Sequence, residues 1–429
     1  MVAGTAKKLR QATNFALTKF LAPTIVSGFS GKIVKQLPKF EEWRLFSVTS
    51  PKREERVIKK LDNILSYFRS YGKAPKDIEG VSEQVMLYIK GRARKSDRTM
   101  EGLEKKAYNL AKGFESNYKN LTDYILKITK QIWEGKDVES ISKYYSENIP
   151  VRSPFGITYG FKPVIDATYK TLDEFPDRQL LGEDVIWSGN DDEGYHSSHR
   201  ILSKATHLND GYYGKKTGNK IVYRVIADCA CKNNQVYDEW IVRDQGAMVR
   251  QLGYTPEQFA RHLIDKEGGV SKAIKVFNRS SDKKSDYTPV KVNEDSSGYI
   301  YSNILKKIFN NDYDFEDYDR AASLFWPSNK VGNGSEDIIK YWSSLKNIFS
   351  EIKFTIEHVA SLDEKNNNQK ATIRWFLSGK HSKDSEEFGK KTDKDLFIMG
   401  INHAELRDDK IIREWVLFDE VAIWKQILM

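Results

Sequence analysis

Cysteine is nearly absent from this chain. Cys229 and Cys231 are the whole complement in 429 residues, which excludes a disulfide framework and points to a reducing compartment. Long apolar runs are missing too. The longest candidate, "FLAPTIVSGFSG", is broken by Pro23 and falls short of the roughly 20 residues that a membrane helix needs. No clean apolar segment precedes a small-residue cleavage site, so a secretory signal is not expected. Acid is absent from residues 1–40, which carry Lys7, Lys8, Arg10, Lys19, Lys32, Lys35 and Lys39 among many Ser, Thr and Ala. That composition fits a mitochondrial transit peptide, or else a basic tail. A mitochondrial, matrix-side location is therefore expected, with the cytoplasm as the alternative.

The charge that is present is unevenly placed. Met1–Tyr118 holds 24 Lys/Arg against 12 Asp/Glu, and the rest of the chain 45 against 48. The net +9 thus belongs to the N-terminal part. Residues 41–119 read as basic helices, as in "REERVIKKLDNILSYFRSY", where Val57, Leu61, Ile64, Leu65 and Phe68 form one stripe. Anionic lipid or RNA is the partner class that residues 1–115 would suit; otherwise the charges form a solvated face.

The remainder says nearly the same thing twice. "YGKKT" (Tyr213–Thr217) returns as "FGKKT" (Phe388–Thr392). Downstream, Ile226–Leu252 lies over Ile401–Ile427 without a gap: Glu239-Trp240 meets Glu414-Trp415, Asp244 meets Asp419, Ala247 meets Ala422 and Gln251 meets Gln426. Upstream the offset slips by one, and Tyr159–Asp177 pairs with Asn333–Glu351. A repeat this long is a duplicated domain, because solenoid periods run only to about 50 residues. The expected division is 120–275, a linker at 276–298 ("NRSSDKKSDYTPVKVNEDSSG" has no apolar periodicity), and 299–429. Each copy places helices first and long alternating strands after. "SGNDDEG" and "KNNQ" are the turns of antiparallel hairpins. This is an α+β layer, a curved sheet wrapped over helices.

The order, with the "DEW…D" strand and the closing "RQLG" (Arg250–Gly253), resembles the SnoaL-like polyketide cyclases. These sit in the cystatin-like cone fold shared with ketosteroid isomerase, scytalone dehydratase and nuclear transport factor two. The resemblance covers about 121–253 and 304–428; the N-terminal region lies outside it. It implies that the two copies pair sheet to sheet as an intrachain pseudo-dimer. It implies an aldol cyclase whose strand Asp moves the proton with help from a His on the neighbouring strand. Counting back from "RQLG", those positions fall on Ile241 and Ala227, and in the second copy on Val416 and Asn402. Neither copy keeps the pair. The expectation is a non-catalytic structural or accessory subunit in a larger protein complex. The alternatives are a cyclase/isomerase-type enzyme and a small-molecule binding module, either using the first repeat's pocket. Asp228 and His207 are the substitute catalytic candidates. Trp187, His207, Asp228, Glu239 and Trp240 are the pocket candidates in the first repeat, and His403, Glu414 and Trp415 in the second. An open cavity with a buried carboxylate favours the enzyme; one plugged by aromatics favours the scaffold.

No cofactor is implied. "GYYGKKT" has the wrong glycine spacing for a phosphate loop and joins strands. His196 and His199 are three apart on a strand and face opposite ways, a poor metal pair. Cys229 and Cys231 share a face and read as small core residues.

Overall fold

Turn chemistry fixes how the long strands meet. In the computed structural model, which describes residues 112–282, 285, 287, 289, 291–363 and 369–429, the "KNNQ" turn has Asn233 and Asn234 at φ 51° and 64°. Asp408 and Asp409 sit at 51° and 62° at the same place in the second copy. Two consecutive positive φ values make the turn whose twist matches a hairpin, and Asn and Asp tolerate them. The two "GKKT" stretches are likewise one turn used twice. Asp210 Oδ1 accepts from Lys216 N and Asp384 Oδ1 from Lys391 N, each at 2.9 Å. Thr217 and Thr392 lie 3.2 Å from Nδ1 of His207 and His381.

The first repeat runs α1 (Leu121–Thr129), α2 (Ile141–Tyr144), β1 (Pro150–Ser153), β2 (Gly156–Tyr159), α3 (Phe161–Glu174), β3 (Gln179–Asn190), β4 (Gly194–Thr206), β5 (Lys220–Lys232), β6 (Gln235–Arg243), α4 (Gln245–Gln251) and α5 (Pro256–Lys266). The second runs α6 (Ser297–Phe309), β7 (Tyr318–Trp326), β8 (Lys330–Asn333), α7 (Gly334–Asn347), β9 (Phe349–Leu362), β10 (Gln369–His381), β11 (Asp395–Arg407), β12 (Lys410–Leu417) and α8 (Glu420–Leu428). The sheets have the same order, β2-β1-β6-β5-β4-β3 and β8-β7-β12-β11-β10-β9. Each is a six-stranded mixed sheet curled over its helices, so the chain is two tandem α+β cones.

The four long strands of each copy are the antiparallel hairpins expected. The pairs β1–β2 and β7–β8, each paired over four residues, were not foreseen. Because β1 and β7 join β6 and β12 in parallel, the sheets are mixed rather than wholly antiparallel. Helix starts follow their caps. Thr255 and Gln258 close a capping box with Pro256 in the first turn, and Asn120 accepts from Asp123 N ahead of α1. α5 ends at Lys266, where Gly268 and Gly269, both at positive φ, stop it.

Strand alternation gives every sheet an inner and an outer face. The inner faces cover their own helices. The outer faces meet each other around Ile226, Trp240, Val242, Met399, Ile401 and Leu417, with Phe277 of the connecting segment added to this layer. The contact is isologous: Arg200 of β4 stacks on Trp415 and Arg374 of β10 on Trp240, both 3.6 Å from the ring centroid. Ser198 and Thr372 bond across the middle at 2.9 Å. This is the pseudo-dimer, its self-complementary patch satisfied within one chain. Among the described residues no helix is long and apolar enough to cross a membrane. The expectations for residues 1–40 and most of those for 41–119 lie outside the described residues.

Candidate functional site

The same alternation sorts the candidate residues, and it separates most of them. Asp228 and Trp240 are on the outer face. Asp228 is fully buried in the sheet–sheet layer, 2.9 Å from Arg374 Nη1, so it is no substitute base in a pocket. Burial pushes its carboxyl up against the pull of the Arg374 charge. His403 and Trp415 are the counterparts: His403 contacts Ser198 Oγ at 2.8 Å and Arg200 at 3.2 Å. His207 is not at a pocket mouth either. Its ring stacks on Phe175 and is pinned between Thr217 and Glu174, 3.2 Å from each. Trp187 is half-buried on the inner face beside Tyr195 and does not line the cavity described below.

One outer-face cluster has the chemistry of a metal site. Ligand atoms of His196, Asp228 and His358, all buried, lie within 4.8 Å of one another. A cation already stands there: Arg374 Nη1 is 2.9 Å from Asp228 Oδ2 and 3.2 Å from His196 Nε2. The cluster belongs to the repeat–repeat contact. Burial, with Arg374 nearby, holds both histidines well below their usual range.

The inner faces differ between copies. The first cone encloses a cavity of about 210 Å³. Ile241 and Ala227, the two positions counted from "RQLG", both line it, and two polar groups lie beside them. Glu239 is two residues along β6 from Ile241, on the same face. His199 is the direct partner of Ala227 across β4–β5. Neither His199 nor Tyr145 was among the sequence candidates. Finding His199 required the β4–β5 register, which a loop of thirteen residues (207–219) hides. Glu239 is 5% exposed and accepts a hydrogen bond from the Tyr145 hydroxyl; burial outweighs that bond and raises its carboxyl above the usual range. Burial lowers His199 to about 4, so its imidazole is neutral above that pH; its Nε2 has no hydrogen-bond partner. Cys229 also lines the cavity, and burial pushes its thiol far up, leaving it inert.

In the second cone the equivalent space is full. Register places Trp375 where the first copy has Ile201, and Gly400 where it has Val225. A Cβ on Gly400 would run into the Trp375 indole. Trp342 stands at the place of Thr168 and Phe418 at that of Arg243. Trp342, Trp375, Phe418 and Tyr301 are buried together. Glu414, the counterpart of Glu239, is held by the hydroxyls of Tyr301 (2.6 Å) and Tyr318 (3.2 Å) and by Trp342 Nε1 (3.4 Å).

Burial raises Glu414 to about 7. The folded state therefore binds a proton that the unfolded state, near 4.5, has released, and Glu414 subtracts stability as pH rises from 4.5 through about 7. At about 1.4 kcal/mol per pH unit the full effect is about 3 kcal/mol. Glu414→Gln is expected to gain urea midpoint relative to the parent at pH 8 compared with pH 5. A pH-independent difference would show that this carboxyl does not titrate on unfolding.

No family model and no curated protein matches the chain. Solved structures do. The chain's neighbours among them are SnoaL-like polyketide cyclases. One from Agrobacterium tumefaciens is 18% identical and covers 31% of this chain and 98% of its own, with a TM-score of 0.26. IdmH of Streptomyces antibioticus, assigned as a polyketide cyclase, is 17% identical over 31% of this chain and 98% of its own, TM-score 0.28. AclR of Streptomyces galilaeus, assigned as a hydroxylase, is 21% identical over 31% and 94%, TM-score 0.28. Likeness at this level brings no activity with it, and the assigned activities differ among themselves.

Proposed function

We propose that the first cone binds a small, largely apolar carbonyl compound and moves a proton at the carbon next to the carbonyl, while the second cone is its fixed structural half. The carrying observation is Glu239: a buried carboxyl, raised above its usual range, on the wall of an open cavity. A base of this kind takes the proton from the acidic carbon and, as the carboxylic acid, returns it to another atom of the same molecule. Tyr145 orients the carboxyl, and neutral His199 offers a second polar contact to the carbonyl oxygen. At about 210 Å³ the cavity is below the roughly 300–1,000 Å³ of drug-sized sites, so a fused polycyclic polyketide is too large for it. The accessory reading keeps the second repeat, where aromatics occupy the pocket. Anchoring in a larger complex through the basic N-terminal part goes with that reading.

Proton exchange tests this without a known substrate. A panel of small ketones and keto acids in D₂O should show enzyme-dependent deuterium uptake at the α-carbon for at least one member. Glu239→Gln should slow it by about 10²–10⁴-fold, whereas Asp228→Asn should leave the exchange chemistry intact. Uptake that survives Glu239→Gln, or none across the panel, would sink the proposal.

A further inference from the structure

Most of the buried and half-buried arginines among the described residues are paired. Arg152 meets Asp238 and Asp282, Arg200 and Arg224 share Glu183, and Arg374 meets Asp228. Among the described residues, the half-buried arginines without a carboxylate partner are Arg178 and Arg243, and both line the first cavity. Arg178 touches Ser203 Oγ at 3.3 Å and lies over the Tyr223 ring. Arg243 makes no hydrogen bond among these residues. They come from different strands at the same end of the sheet, Arg178 just before β3 and Arg243 at the end of β6, with β4 and β5 between them.

The second repeat is an internal control. Where Arg178 stands the second copy has Ile352, where Arg243 stands it has Phe418, and where His199 stands it has Ile373. The cations are absent from the copy whose cavity is filled, although that copy keeps the glutamate. Two guanidiniums without an ion-pair partner beside a cavity, Arg243 being felt only at longer range by Glu239, supply planar donor forks that match a carboxylate. Glu239, Ile241 and Arg243 alternate onto one face of β6, with about 13 Å between the Cα atoms of Glu239 and Arg243 at 3.2–3.4 Å per residue. The Arg243 charge acts on the Glu239 carboxyl, and both line the same cavity, so one small molecule reaches both.

We propose that the ligand of the first cavity is a small organic monocarboxylate, its carboxylate held by Arg178 and Arg243 and its apolar body directed toward Glu239. This rests on the cavity being the ligand site, and the test separates the two claims. The full chain is titrated by ligand-observed NMR with 3-phenylpropionate and hexanoate, each against its primary amide. The acids should bind at least tenfold more tightly than the amides. Arg243→Gln and Arg178→Gln should each shrink that preference, and the double variant should abolish it without weakening the amides. Thr168→Trp, which copies the second repeat, should abolish binding of all four; thermal melting checks that each variant folds. Equal binding of acid and amide, or a preference that survives the double variant, overturns the carboxylate claim and leaves the cavity reading. Binding that survives Thr168→Trp overturns the cavity reading itself. No binding of any probe at millimolar concentration overturns the monocarboxylate class at this size.

Discussion

Arg374→Ala is expected to cost about 3–5 kcal/mol of folding stability, a large part of the roughly 5–15 kcal/mol that holds a domain together. The guanidinium is the only cation within hydrogen-bond reach of Asp228 among the described residues, and Asp228 is fully buried. Removing it strands a carboxylate where water cannot replace the lost partner, and it takes away one of the two guanidiniums over Trp240, Arg152 being the other. The pseudo-equivalent Arg200→Ala should cost less. Its carboxylate partner, Glu183, is 23% exposed and keeps Arg224, and its other polar neighbour, His403, is neutral because burial lowers it well below the usual range. The double change Arg374→Met with Asp228→Leu should recover most of the loss, because the pair's desolvation penalty goes with it. Urea unfolding of the four proteins decides the matter. Equal, small losses from both alanine variants would mean that Asp228 is not charged in the folded state.

That asymmetry was partly legible in the sequence. The repeat follows from matched residues and the hairpins from turn residues and alternation, while the sheet-to-sheet pairing is expected from the resemblance. Counting from "RQLG" also put Ile241 and Ala227 on the cavity wall. The error was to bring Asp228, Glu239 and Trp240 to one pocket mouth. Neighbours on a strand point to opposite faces, so once Ile241 faces inward, Trp240 faces outward. The rest lay in registers between strands and between sheets. That Arg374 would find Asp228, or that His199 would oppose Ala227, depends on long-range pairing that no spacing within one strand reveals. The short strands β1 and β2 escaped for a similar reason: "PVRS" and "GITY" are four residues each, too short for a period-2 pattern to stand out.

Two of the positions that distinguish the open cone from the filled one can be exchanged. Gly400 has no side chain and Trp375 lies over it; the first copy has Val225 and Ile201 at these places, and a cavity. Gly400→Val should drive two methyl groups into the indole and destabilise the protein by at least the 1–3 kcal/mol typical of overpacking. Trp375→Ile alone removes most of a buried ring and leaves a hole, for which a few kcal/mol is expected by analogy with other large-to-small changes. It also strands Asn402 Oδ1, which accepts from Trp375 Nε1 at 2.8 Å. Made together, each change relieves the other. The valine fills part of the space vacated by the ring, so the double variant should be more stable than the sum of the two single losses by 1 kcal/mol or more. Strict additivity of the two losses would show that Gly400 and Trp375 do not share one space, and that the second cone is closed by something other than this pair.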